Sequence, residues 1–90
     1  MDSHLLSLEE ISKVKFLKAG KNLKISSNAI FIGSKNISIG NNVRIDDFTI
    51  IVAAKGKVEI GNNVHISAYN YINGSGIVEI GNYSNFSQGC

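Results

Sequence analysis

Large apolar residues recur every six positions through most of this chain: Ile39, Ile45, Ile51; then Ile60, Ile66, Ile72; then Ile80 and Phe86. A period of six matches neither the 3.6-residue turn of a helix nor the two-residue alternation of a strand. It matches a coil with three sides of six residues, each side placing one anchor in an interior corner. Four residues after the first two anchors of each unit comes a smaller side chain that shares the interior. These are Val43 and Thr49, Val64 and Asn70, and Ser84 and Cys90, with Asn70 the poorest fit. The pairs Ile39-Gly40, Ile60-Gly61 and Ile80-Gly81 mark successive coils, 21 and then 20 residues apart. Three six-residue sides leave two or three residues spare per coil. The turn-forming stretches Lys55-Gly56-Lys57 and Gly74-Ser75-Gly76 are expected to bulge out with them. The lead-in "KISSNAIF" supplies Ile25, Ala29 and Phe31, a degenerate earlier turn of the same screw.

Coils of this kind stack about 4.8 Å apart, so equivalent residues form ladders along the solenoid. Asn41, Asn62 and Asn82 form one ladder. Arg44, His65 and Asn85 form an outward one, Asp46, Ser67 and Ser87 another, with Asp47, Ala68 and Gln88 beside it. Arg44, Asp46 and Asp47 are thereby expected close beneath His65. The repeated "IGNN" invites comparison with glycine-rich phosphate loops, but those need several glycines between a strand and a helix N-terminus. The glycines and asparagines here are read as corner residues.

Residues 1–20 follow a different rule. Ser7 and Glu10 form a capping-box pattern, and Leu8, Ile11, Val14 and Leu17 recur at helical spacing. One helix is expected over 8–18, stopped at Gly20. The chain divides into an N-terminal helical cap, 1–20, and a hexapeptide solenoid, 21–90.

Composition limits the function classes. A net charge of +2 on 90 residues is too mild to indicate nucleic acid or an anionic membrane as partner. No apolar run approaches the roughly 20 residues of a membrane span, and the first residues lack the basic and apolar regions of a secretory signal. One cysteine excludes an internal disulfide and fits a reducing compartment, so a cytoplasmic location is expected. The absence of proline and the abundance of isoleucine, glycine and asparagine suit short strands and many corners.

Three segments carry a family resemblance: "GKNLKISSNAIF", "ISIGNNVRIDDF" and "VEIGNNVHISAY". The chain resembles the hexapeptide-repeat acyltransferases, in particular the O-antigen acetyltransferase branch found with surface-polysaccharide and lipopolysaccharide synthesis. The resemblance implies an all-β, left-handed parallel β-helix with a short N-terminal capping helix. The left hand comes from the resemblance alone, because parallel crossovers are generally right-handed. It also implies a homotrimer with acetyl-CoA as co-substrate in a groove between neighbouring solenoids. The acceptor would be a hydroxyl or amine of a sugar or nucleotide-sugar. No residue is assigned to cofactor binding, and no metal or membrane span is expected.

In such enzymes a histidine removes a proton from the attacking group, a task suited to an imidazole near neutral pH. Only His4 and His65 are available here. His4 precedes the helix and reads as an exposed terminal residue. His65 carries two readings, a surface or interface histidine and the catalytic base with Asp46 or Asp47 as orienting carboxylate. Relatives that carry the base in an inserted loop resembling "HPVHH" have no counterpart here. Cys90 falls in an interior slot and reads as filler rather than nucleophile. Phe48, Tyr69 and Tyr71 could serve packing, trimer contact or ligand stacking. Family members continue through further coils, so the chain is expected to be an N-terminal fragment of a longer enzyme. The competing reading is a non-catalytic β-solenoid scaffold or trimerisation module. Ice or surface binding would need regular outward threonine rows, whereas these outward ladders mix Arg, His, Asp and Asn.

Overall fold

The computed structural model describes residues 5–87. Among them a single α-helix, α1 (Leu8–Val14), precedes a stack of short strands wound around three faces. The first coil holds β1 (Lys18–Ala19), β2 (Lys24–Ile25) and β3 (Ile30–Ile32). The second holds β4 (Ile37–Ile39), β5 (Arg44–Ile45) and β6 (Ile50–Val52). The third holds β7 (Lys57–Ile60), β8 (His65–Ile66) and β9 (Tyr71–Asn73), and β10 (Ile77–Ile80) and β11 (Asn85–Phe86) begin a fourth. Equivalent strands pair in parallel into three sheets, β1-β4-β7-β10, β2-β5-β8-β11 and β3-β6-β9. This is the three-sided parallel β-helix of the left-handed acyltransferase fold.

The strand register is the hexapeptide register. Ala19, Ile39, Ile60 and Ile80 align on the first face, and Ile25, Ile45, Ile66 and Phe86 on the second. Phe31, Ile51 and Ile72 align on the third. Ile25, Ile45, Ile51 and Ile66 are completely buried, and Val43, Thr49, Val64 and Asn70 fill the slots beside the anchors. The degenerate lead-in is a full member of the stack. The spare residues bulge out in the turns at 54–56 and 75–76, while Ala53 and Gly74 beside them are buried. Lys57 itself belongs to β7, opposite Ile77.

The helix is shorter than its periodicity suggests. The capping box is formed, with Ser7 Oγ accepting from Glu10 N at 3.1 Å and Glu10 Oε1 accepting from Ser7 N at 2.8 Å. Lys15 then turns left-handed (φ 66°), which ends the helix. Residues 18–19 pair with β4 instead of continuing the helix. Leu8 and Leu17 stay exposed, and Ile11 alone is buried from the helix itself. Phe16 anchors the following segment against Phe31, edge to face with ring centroids 5.0 Å apart.

The "IGNN" corners have a specific cause. Asn41, Asn62 and Asn82 each accept, through Oδ1, the backbone N–H of the equivalent residue one coil earlier, at 2.7–2.8 Å. A Cβ on Gly40 would stand 2.5 Å from Asn62 Oδ1, and one on Gly20 2.4 Å from Asn41 Oδ1. Glycine is needed there for close approach rather than for a left-handed backbone. The left-handed residue stands two positions after the glycine: Asn22, Asn42 and Asn63 (φ 57–58°), and Tyr83 (φ 63°).

Candidate active site

The second face brings Arg44 and His65 into one outward ladder, since β5 and β8 pair Arg44 with His65 and Ile45 with Ile66. Strand alternation turns Ile45 and Ile66 inward and leaves Arg44, Asp46 and His65 outside. His65 Nε2 lies 2.9 Å from Asp46 Oδ2, and Arg44 Nε donates to Asp46 Oδ1 at 2.8 Å. One carboxylate is therefore shared between two groups from adjacent coils. The side chains are 43% exposed for His65, 53% for Arg44 and 26% for Asp46, so the imidazole remains open to a ligand while its partner is half-buried.

Partial burial pushes the Asp46 pKa up, but the hydrogen bonds from His65 and Arg44, with their charge, outweigh it and hold the carboxyl below its ordinary value. An ionised carboxylate can only accept, so the imidazole presents Nε2–H to Asp46. In the neutral ring this leaves the lone pair on Nδ1, the atom able to take a proton from an attacking group.

Of the anticipated residues, the fold joins His65 and Asp46 and places Asp47 elsewhere. Ser26 Oγ donates to Asp47 Oδ1, and Asn28 Nδ2 approaches the same oxygen at 3.5 Å. Asp47 thus ties the second coil to the first at the corner. Arg44 was visible to the sequence as a neighbour of His65, whereas its grip on Asp46 follows from a two-residue spacing that puts both on one strand face. His4 and Cys90 lie outside the described residues. A groove of about 650 Å³ lined by Asn22, Leu23, Lys24, Asn42, Val43 and Arg44 runs beside the pair and meets it only through Arg44. Among the described residues, no cluster of three or more His, Cys, Asp or Glu is placed to hold a metal ion. No described helix is long and apolar enough to cross a membrane.

No family model matches the chain. A curated relative, the dTDP-4-amino-4,6-dideoxy-D-glucose acyltransferase of Escherichia coli, is 46% identical over 78 residues, covering 87% of this chain. The solved structure of AntD, an N-acyltransferase from Bacillus cereus in complex with dTDP and 3-hydroxybutyryl-CoA, superimposes with a TM-score of 0.83 at 46% identity over 91% of the chain. The chain is homologous to the hexapeptide-repeat sugar acyltransferases. A variant of AntD in complex with dTDP-4-amino-4,6-dideoxyglucose and coenzyme A gives a TM-score of 0.77 at 43% identity, again over 91% of the chain. This sugar acyltransferase homologue spans 41% of the length of the curated relative and 43–46% of those two solved chains.

Proposed function

We propose that the chain is part of an acyl-CoA-dependent acyltransferase that acylates the amine of a nucleotide-linked sugar. The observation that carries this reading is the Asp46–His65 hydrogen bond on the outer face of a solenoid 46% identical to such enzymes. The acceptor amine attacks the thioester carbonyl, and His65 Nδ1 takes its proton. Attack forms the C–N bond and turns the carbonyl into an oxyanion. Collapse of that tetrahedral adduct restores the C=O and breaks the C–S bond, and His65 passes its proton to the sulfur of coenzyme A, which leaves as the thiol. Asp46 holds the ring and compensates the imidazolium, while Arg44 fixes Asp46. Asp47 acts on the corner and not on the ring.

Finer features of the proposal are an acetyl donor, transfer to nitrogen rather than oxygen, a role in surface-polysaccharide synthesis and a cytoplasmic location where acyl-CoA is available. One relative was solved with 3-hydroxybutyryl-CoA, so the donor test compares that thioester with acetyl-CoA. A homotrimer is supported by the outer face of β3-β6-β9, where Ile30 and Ile32 stay about half exposed and Tyr71 more so. The same apolar face favours the second reading, a non-catalytic trimerisation scaffold.

The test incubates the intact protein with dTDP-4-amino-4,6-dideoxyglucose and each thioester, and follows release of the coenzyme A thiol. Turnover that falls about 100-fold or more in His65→Ala supports the reading. Turnover unchanged in that variant removes His65 as base, and no turnover with any thioester leaves the scaffold. Sedimentation gives the subunit number.

A further inference from the structure

Phe48 and Tyr69 sit one coil apart, at the corner where the second face turns into the third. Both hold a left-handed backbone, with φ of 59° and 63°, a conformation in which bulky side chains are uncommon. At the preceding corner three coils meet the left-handed backbone with Asn22, Asn42 and Asn63, residues well suited to it, and the fourth with Tyr83 (φ 63°). At 48 and 69 that solution is not used. Burial does not compensate, because Phe48 stays 50% and Tyr69 58% exposed. Instead the two rings stack on each other, with centroids 5.4 Å apart and planes 20° apart.

The pair stands beside the candidate chemistry in the chain. Asp46 is two residues before Phe48, and His65 four before Tyr69 on the next coil. Tyr71, also 58% exposed, follows on the outer face of β9. Two strained corners have thus been filled with flat, open π-surfaces rather than turn-forming side chains. Strain retained at exposed positions is a mark of ligand sites.

We propose that Phe48 and Tyr69 form a stacking shelf for the nucleobase of a nucleotide substrate. The proposal rests on the acyltransferase reading, since donor and acceptor in that reaction both end in a base. Stacking of a base on an aromatic side chain is tolerant of base identity and contributes a factor of about ten or more in affinity. A pentose and a diphosphate separate the base from the acceptor sugar, enough chain to round one corner of the solenoid toward His65. Coenzyme A offers an adenine on a similarly long arm.

Phe48→Asn and Tyr69→Asn, made singly and together, test the shelf because asparagine suits the left-handed backbone. Melting temperature is expected to hold or rise. Calorimetric affinity for dTDP or for coenzyme A is expected to fall about tenfold while the other stays within about twofold, and which of them falls identifies the base. If both affinities stay within twofold in the double variant, the shelf is overturned. If they stay so while sedimentation shows a smaller assembly, the rings are a subunit contact and the shelf is likewise overturned. A wild-type protein that turns over but shows intact nucleotide affinity in the variants removes the shelf alone. A wild-type protein that binds neither nucleotide removes the acyltransferase reading with it.

Discussion

Asn70 shows what a single misfit residue costs and supplies. It is buried in a slot that Val43, Thr49 and Val64 fill elsewhere. Its Nδ2 donates to the carbonyls of Ser67 at 2.9 Å and Ser87 at 3.0 Å, tying two coils, while Oδ1 has no hydrogen-bond partner. Thr49, one coil earlier, makes a similar bond to Ser67 O at 3.1 Å without a second polar atom to satisfy. Asn70→Thr is therefore expected to be neutral or to stabilise by about 1 kcal/mol, read by denaturant unfolding. A loss of 2 kcal/mol or more would mean that the double donation outweighs the orphaned oxygen. At the candidate site, Asp46→Asn replaces an acceptor-only group with an amide that can donate to Nε2. The proton is then free to sit on Nδ1, where the base is needed. Turnover is expected to fall about tenfold or more with little change in KM, whereas Asp47→Asn should leave it within about twofold. Equal losses in both variants would contradict the division of labour between the two carboxylates.

At the scale of elements, each coil is fixed to the next through its corners as much as through its strands. The strands are two to four residues long, and the asparagine ladder satisfies backbone N–H groups between them. Gly40→Ala would push a methyl to 2.5 Å from Asn62 Oδ1 and 2.7 Å from Gly61 O, the latter a backbone atom that cannot swing away. The expected loss is about 1–3 kcal/mol in unfolding free energy. The same variant combined with Asn62→Ala should recover part of that loss, since the smaller side chain vacates the space; no recovery would locate the clash in the backbone alone. The left-handed corners at Phe48 and Tyr69 cost about 1 kcal/mol each relative to a residue suited to them. That strain is the reason their asparagine variants are informative.

For the whole molecule, acid is the informative perturbation. Glu10 is held below its ordinary value of 4.5, chiefly by the Ser7 backbone N–H, and Asp46 below 3.8 by the balance described above. Both carboxyls titrate lower in the folded chain than in the unfolded one, so mildly acid conditions protonate the unfolded state first. Their contributions are complete above about pH 4.5 and disappear as pH falls through the lowered values. Melting temperature is expected to be flat near neutrality and to drop below about pH 4. Glu10→Gln and Asp46→Asn, which remove the two titrating carboxyls, should each make the drop shallower. A drop of unchanged steepness in both would place acid sensitivity on other groups.

The sequence by itself determined the solenoid, because a six-residue period with one large apolar anchor per side has few other ways to bury its anchors. It also located the bulges, whose turn residues interrupt that period, and the ladder that sets Arg44 beneath His65. It did not determine where the helix stops: Leu8, Ile11, Val14 and Leu17 continue the helical pattern, but pairing of Lys18–Ala19 with β4 outcompetes it. Nor did it choose between two adjacent aspartates. Asp46 faces the ring and Asp47 faces Ser26 because strand alternation ends at the corner between them, where the backbone turns toward Phe48. Ladder position is periodic and can be counted along a chain; the direction of a side chain at a corner depends on what the neighbouring coil offers it, and only the tertiary structure decides that.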